Sequence, residues 1–482
     1  MTREVRRFGI VLVVLFGALI ANLHLLQLLR AEALGGHQAN RRAIIAEYQV
    51  ERGPIVVAGS EIVRSTPTRD DLAYLRVYDQ GPLYAHVTGW YSFVLLRSGL
   101  EQAFNDQLTG TPRELLNQNL AALLSSSGLV GATVELTLDP RVQQAARAAL
   151  GDRVGAVVAL EPTTGRVLAS YSSPSYDPGI LSTHNGAEIL GAWDALNADP
   201  TRPLLDRVTR GTFAPGSVFK LIVAAAALEQ GLEPSTSFED TASYTPPQTR
   251  VAIENYTPGP CGDGQAITLA DALRVSCNTV FARLAVDLGA DRLAAVAEGF
   301  GFNRDIPYDL PTLRSRLPKD LDDPATAQSA LGQRDVRTTP LHMALVAAAI
   351  ANEGRLVRPH VVAQVRNASG RVVRGPNEGP WVEGRFSEQA VTPTTAALLR
   401  EMMVDVVARG TGSRAAIPGV EVGGKTGTAE DPNATPTAWF VGFAGSDVAV
   451  AVVLPDAGAD ATGGAVAAPI AQAVMETALG LR

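Results

Sequence analysis

The longest apolar stretch lies near the N-terminus. Phe8 to Leu29 is 22 residues without a formal charge, apolar throughout from Phe8 to Ala21 and then interrupted only by Asn22, His24 and Gln27. As a helix this segment is about 33 Å long, enough to cross the hydrocarbon core of a bilayer. Arg3, Arg6 and Arg7 stand just ahead of it. The positive-inside rule therefore predicts residues 1–7 as a cytoplasmic tail, 8–29 as a transmembrane anchor, and the rest as extracytoplasmic. A cleaved signal peptide competes with this reading, but the apolar face continues through Leu25, Leu26, Leu28 and Leu29 without a small-x-small cleavage site at its end.

Beyond the anchor the pattern shortens. Residues 30–135 read as short mixed strands and helices, broken at Arg52-Gly-Pro-Ile55 and punctuated by Gly89, Gly99, Gly110 and Gly128. They carry no cluster of catalytic side chains and are expected to form a mixed α/β pedestal. At Thr133 the alternation becomes strand-like, Asp139-Pro140 opens a helix that runs to Leu150, and residues 155–160 and 166–170 pair across the turn Glu161 to Gly165 as a hairpin. Towards the C-terminus, Ala438 to Phe443 and Val448 to Leu454 read as paired strands and Ala465 to Leu481 as a closing helix. Strands at both ends with helices between them predict an α+β domain over residues 136–482, an antiparallel sheet flanked by helices.

A net charge of −8 argues against nucleic acid as a partner, which would call for a basic face. The basic residues are 38 Arg and only three Lys, at positions 220, 319 and 425. Arg stays protonated at any working pH, whereas a buried Lys can lose its proton, so a Lys kept in this background marks a place where Arg would fail.

Two of those lysines sit in motifs. Ser217-Val-Phe-Lys220 follows Ala214-Pro-Gly216 and precedes the apolar run Leu221 to Leu228, which places Ser217 at a helix start. Residues i and i+3 share a face, so Lys220 can take the proton of the Ser217 hydroxyl, and the helix N-terminus favours the developing negative charge. Ser276-Cys-Asn278 could relay a proton between reacting group and lysines, with the Asn278 amide holding a substrate carbonyl. Lys425-Thr-Gly-Thr428, on a strand edge, would bind a carboxylate through Lys425, Thr426 and Thr428, while Gly427 admits a close backbone. The amides of Thr428 and Ser217 would then form an oxyanion hole. The string Gly419 to Thr426 also matches the P-loop pattern, but a P-loop must open a helix, and Asp431-Pro-Asn-Ala-Thr-Pro436 follows too soon.

The ordered trio Ser217-x-x-Lys220, Ser276-x-Asn278 and Lys425-Thr-Gly427 resembles the motif set of penicillin-binding proteins and serine β-lactamases. The settings Ala214 to Lys220, Thr339-Pro-Leu-His-Met-Ala344 with Ala351-Asn-Glu-Gly354, and Ala438-Trp-Phe-Val-Gly-Phe443 resemble the penicillin-binding group, while the single anchor, an N-terminal module without a glycosyltransferase signature and Arg52-Gly-Pro-Ile55 resemble class B, most closely the actinobacterial penicillin-binding protein A type. That resemblance implies a β-lactamase-like transpeptidase domain that cross-links peptidoglycan stem peptides ending in D-Ala-D-Ala through a Ser217 acyl-enzyme, with Lys220, Ser276, Asn278 and Lys425 catalytic. It implies inhibition by β-lactams, a polytopic glycan-strand polymerase as partner, and no cofactor. A β-lactamase or carboxypeptidase would need a positioned deacylation base, and none is identifiable. A non-catalytic β-lactam sensor would keep the motifs for binding alone.

Cys261 and Cys277 lie outside the predicted membrane, where a disulfide is permitted. Closing that loop would stabilise by about 3 kcal/mol in the chain-entropy model, and the expected bridge would fix Ser276 and Asn278. The histidines, at 24, 37, 86, 184, 342 and 360, show no metal-ligand spacing, so no metal is expected.

Overall fold

A computed structural model describes residues 3–24, 45, 47–110, 130–375, 389–431 and 434–482. Helix α1 (Arg3–His24) is exposed along its apolar length, and its window Val5–His24 is long and apolar enough to cross a membrane. The last part of the expected anchor, Leu25 to Leu29, lies outside the described residues, as do His37 and Gly128.

The strands that organise the remainder are, in chain order, β1 (Ile55–Val57), β2 (Ser60–Pro67), β3 (Tyr74–Tyr78), β4 (Thr133–Leu136), β5 (Gly155–Leu160), β6 (Val167–Ser173), β7 (Val362–Arg366), β8 (Val372–Arg374), β9 (Val422–Asp431), β10 (Ala434–Ala444) and β11 (Val448–Leu454). The helices used below are α2 (Pro140–Leu150), α3 (Lys220–Glu229), α4 (Leu269–Arg274), α5 (Asn278–Leu288), α6 (Pro340–Ala351), α7 (Pro393–Arg409) and α8 (Ala468–Ala478).

A five-stranded antiparallel sheet runs β9-β10-β11-β5-β6. Strands β5 and β11 are buried at every position. Successive side chains point to opposite faces, so burial at every position requires both faces to be covered. Helices α2 and α8, packed on each other, cover one face, and α6 covers the other. Helix α3 is apolar all round and is buried from Lys220 to Leu228 among α5 and α7, which is why it shows no amphipathic pattern. Thr268, Asp322, Thr339 and Thr392 each cap a helix start with a side-chain oxygen. The expected closing helix is two pieces, because the chain breaks at Ala467, just ahead of Pro469, between Gly463–Val466 and α8.

The two glycines ahead of Lys425 have a packing cause. A Cβ on Gly424 would stand 2.3 Å from the Phe440 ring, and one on Gly423 2.3 Å from that of Phe443. From Val422 onward the P-loop-like string is thus a strand on which two aromatic rings of β10 lie, and it carries Lys425.

The second sheet runs β8-β7-β4-β1-β2-β3. The expected boundary at residue 135/136 falls inside β4, and the sheet crosses it. Strands β7 and β8 come from residues 362–374, so the pedestal is completed by a later part of the chain. A free edge on β4 would leave unpaired backbone groups, and β7 satisfies them. Arg52 explains the break at Arg52-Gly-Pro-Ile55. Its guanidinium bonds to Glu101 at 2.5 Å and lies over the Tyr91 ring, while Arg76 reaches the other Glu101 oxygen at 2.7 Å. All three charges are buried. Gly53 is required because a Cβ there would lie 2.0 Å from the Ala132 carbonyl oxygen.

Candidate active site

Ser217 lies in a 3₁₀ turn, Gly216–Phe219, immediately ahead of α3, rather than in the first turn of the α-helix itself. The Lys220 amide donates to the Ser217 carbonyl, and in a 3₁₀ turn side chains at i and i+3 eclipse, so Lys220 stands over Ser217. The turn is pressed on the edge strand β9. A Cβ on Gly216, whose φ is +56°, would lie 2.9 Å from the Thr428 carbonyl and the Ala429 nitrogen, and one on Gly427 would lie 2.7 Å from the Pro215 carbonyl oxygen. The Gly216 amide donates to Gly332, and the Trp439 indole donates to Ala214. The backbone carrying the Ser217 amide therefore lies against the backbone carrying that of Thr428.

Ser276 and Asn278 owe their placement to a helix ending. The Ser276 amide donates to Leu273 O and the Cys277 amide to Ala272 O, the paired bonds of a Schellman motif closing α4. Ser276 occupies the left-handed position of that motif, with φ +63°. Glycine is the usual residue there, and a side chain costs about 1–2 kcal/mol. Asn278 then begins α5. Ser276→Gly should therefore unfold at a higher temperature than Ser276→Ala, by roughly 1 kcal/mol of stability, while both lose the hydroxyl and its part in acylation. Calorimetry of the two variants side by side checks this, and equal melting temperatures would refute it.

The two motif lysines meet at Ser276. Lys220 Nζ donates to Ser276 O and to Asn278 Oδ1, both at 2.7 Å, and lies 3.3 Å from Ser276 Oγ. Lys425 Nζ donates to Ser276 Oγ at 2.8 Å and to the Thr426 carbonyl at 3.0 Å. Both lysines are fully buried, while Lys319, the lysine outside the motifs, is exposed. Burial holds Lys220 well below the usual lysine range, and the facing Lys425 adds to this. Burial alone brings Lys425 down to about 7. Among the described residues no hydrogen bond reaches the Ser217 hydroxyl, and Lys220 Nζ is engaged by Ser276 and Asn278 instead. A neutral amine can donate to Ser276 O and Asn278 Oδ1 while its lone pair meets the Ser276 hydroxyl at 3.3 Å.

The threonines are partly engaged. Thr426 Oγ1 is 2.6 Å from Thr411 Oγ1, and Thr428 Oγ1 accepts from the Gly463 amide. The Asn278 amide group donates to Glu254 O, so one of its two hydrogens is taken. A serine on a tight turn, a desolvated lysine three residues on and a second buried lysine bridged to it by the Ser276 hydroxyl make up the parts of a serine acyl-transfer centre.

Comparison with known proteins agrees with this chemistry. The family described as Penicillin binding protein transpeptidase domain matches residues 155–476, and the Penicillin binding protein A dimerisation domain matches residues 52–134. The chain belongs to the penicillin-binding proteins. It is 39% identical to the peptidoglycan D,D-transpeptidase PbpA of Mycolicibacterium smegmatis, with 99% of each chain covered. It is 38% identical to PbpA of Mycobacterium tuberculosis at the same coverage, which places it in class B. Among solved structures, the ceftriaxone acyl-enzyme complex of penicillin-binding protein A from M. tuberculosis superposes with a TM-score of 0.85 at 37% identity, covering 90% of this chain and all of that one. The imipenem acyl-enzyme complex of the same protein matches equally well, at 38% identity.

This penicillin-binding protein supports its motifs with contacts from outside them. Cys261 and Cys277 are joined, with Cα atoms 5.7 Å apart, so the middle residue of the second motif is tied to the loop before it. Asp240 holds that loop by accepting from the amides of Cys261, Gly262 and Gly264. Thr411, beyond the end of α7, and the Glu254-Asn255 pair reach the site from distant parts of the chain, and no local pattern marks them.

Proposed function

We propose that this class B penicillin-binding protein is a serine D,D-transpeptidase that cross-links peptidoglycan stem peptides, and that its motif residues act as follows. Lys220, as free amine, takes the Ser217 proton while Oγ attacks the carbonyl of the penultimate D-Ala. The resulting oxyanion is held by the Ser217 and Thr428 amides. The C–N bond then breaks, the departing D-Ala amine is protonated through Ser276, and an ester to Ser217 remains. An amine of a neighbouring stem attacks that ester, releases Ser217 and forms the cross-link. Lys425, with Thr426 and Thr428, binds the terminal carboxylate. A β-lactam follows the first step only, because its leaving amine stays attached. The observation that carries this reading is the convergence of two buried lysines on Ser276, beside a serine-bearing turn pressed on β9.

Residues 1–7, 8–29, 30–135 and 136–482 are read as cytoplasmic tail, anchor, pedestal and transpeptidase domain, with the catalytic part outside the membrane. The cation pair Arg6 and Arg7 and the apolar exposed helix support that orientation. The chain holds no recognisable glycan-polymerising motif, and a membrane-embedded glycan-strand polymerase is the partner such an enzyme calls for.

Intact mass spectrometry after incubation with benzylpenicillin tests the assignment. A stable adduct is expected on the wild-type chain and none on Ser217→Ala. Drug consumed without an adduct would instead mean a hydrolase.

A further inference from the structure

Helix α5 begins with Asn278, and its N-cap residue is Cys277. A cap normally offers a side-chain oxygen to the first helical amides, but the Cys277 sulfur is bonded to Cys261 and caps nothing. The amides of Asn278 and Thr279 are instead satisfied from another part of the chain. Asn255 Oδ1 accepts both, at 3.0 and 3.1 Å. The other end of the same amide, Nδ2, donates to Thr241 O at 3.1 Å and Gly259 O at 2.8 Å. These four partners leave one orientation for the Asn255 amide, since only its oxygen can accept and only its nitrogen can donate.

The neighbouring residue completes the grip. Glu254 O accepts from Asn278 Nδ2 at 2.9 Å, so the Glu254-Asn255 pair holds both the backbone and the side chain of Asn278. With its nitrogen held there, the Asn278 amide presents Oδ1 to Lys220 Nζ.

We infer that Asn255 is a positioning residue of the acyl-transfer reaction: by capping α5 in place of Cys277 it sets Asn278, and through Asn278 it aims the Lys220 amine at the Ser217 hydroxyl. Asn255 touches neither substrate nor reacting atoms. Its effect falls on the proton transfer of acylation rather than on the affinity that precedes it. The inference rests on Ser217 as nucleophile and Lys220 as base.

The experiment measures benzylpenicillin adduct against time on the full-length chain in detergent, at several drug concentrations. It yields the limiting acylation rate, the half-saturating concentration and the fraction of chains labelled at completion. Asn255→Ala is expected to lower the limiting rate on the order of 10²-fold, with the half-saturating concentration within a few-fold and the labelled fraction complete, as a small misplacement of a catalytic group would do. Asn255→Asp keeps the oxygen that accepts from the α5 amides but loses both donations to Thr241 O and Gly259 O, so its limiting rate should lie between those of wild type and Asn255→Ala.

A merely structural residue would behave differently. Fewer chains would be labelled, and those that were would react at the wild-type limiting rate. A fall of less than about tenfold in the limiting rate of Asn255→Ala, whatever fraction is labelled, would overturn the inference. If Asn255→Ala yields no folded chain, Asn255→Gln decides, because it retains the amide but displaces it by one methylene. A lowered limiting rate at full labelling is then expected, and a wild-type rate overturns the inference. A wild-type chain that forms no adduct at Ser217 would instead remove the enzymatic reading on which this one stands.

Discussion

Lys220→Arg should slow acylation by benzylpenicillin on the order of 10³-fold although the formal charge of the chain is unchanged. The argument rests on burial. Lys220 is fully buried, and both its desolvation and the facing Lys425 favour the neutral amine. A guanidinium cannot shed its proton under the same pressure, so the variant puts a fixed cation where the wild type has a base. The sign of the pH dependence follows. The base works when deprotonated, so acylation is present above the folded-state pKa of Lys220, which lies well below 10.5, and is lost as pH falls through it. Time-resolved labelling of both proteins across pH measures this. An Arg variant within tenfold of wild type, or a wild-type rate that climbs only near the ordinary lysine range, would dismiss Lys220 as the base.

The second large effect is on stability and lies in the pedestal. Glu101 is fully buried between Arg52 and Arg76. Glu101→Gln leaves two buried guanidinium groups with no anion between them, a change that costs about 3–5 kcal/mol. Desolvation of Glu101 raises its pKa, but the two arginines outweigh it and hold the carboxyl below its usual value. A depressed carboxyl pKa contributes stability that is present above the unfolded value and is lost as pH falls through the folded one. The wild type should therefore lose more stability than Glu101→Gln on acidification, and the two urea unfolding midpoints should draw together at low pH. Equal midpoints at neutral pH would mean that the arginines find other partners.

Much of this protein was legible before any fold was known, and for definite reasons. The apolar N-terminal helix, the hairpin of β5 and β6, the pairing of β10 with β11 and the helix from Pro140 are local patterns, set by periodicity and by Asp139 as a cap. The scarcity of lysine drew attention to Lys220 and Lys425, and the structure buries both of them at Ser276.

Other features depend on contacts between distant residues. That β7 and β8 complete the pedestal sheet follows from an unpaired edge on β4, which only the assembled sheet presents. That Lys220 donates to Ser276 and Asn278 rather than to Ser217, that Thr411 meets Thr426, and that Asn255 caps α5 where Cys277 cannot, are long-range hydrogen bonds. The chain alone determined which chemical groups are available and the local elements that carry them. The tertiary structure decided which of those groups face one another, because burial forces each polar atom to take whatever partner the packing brings within reach.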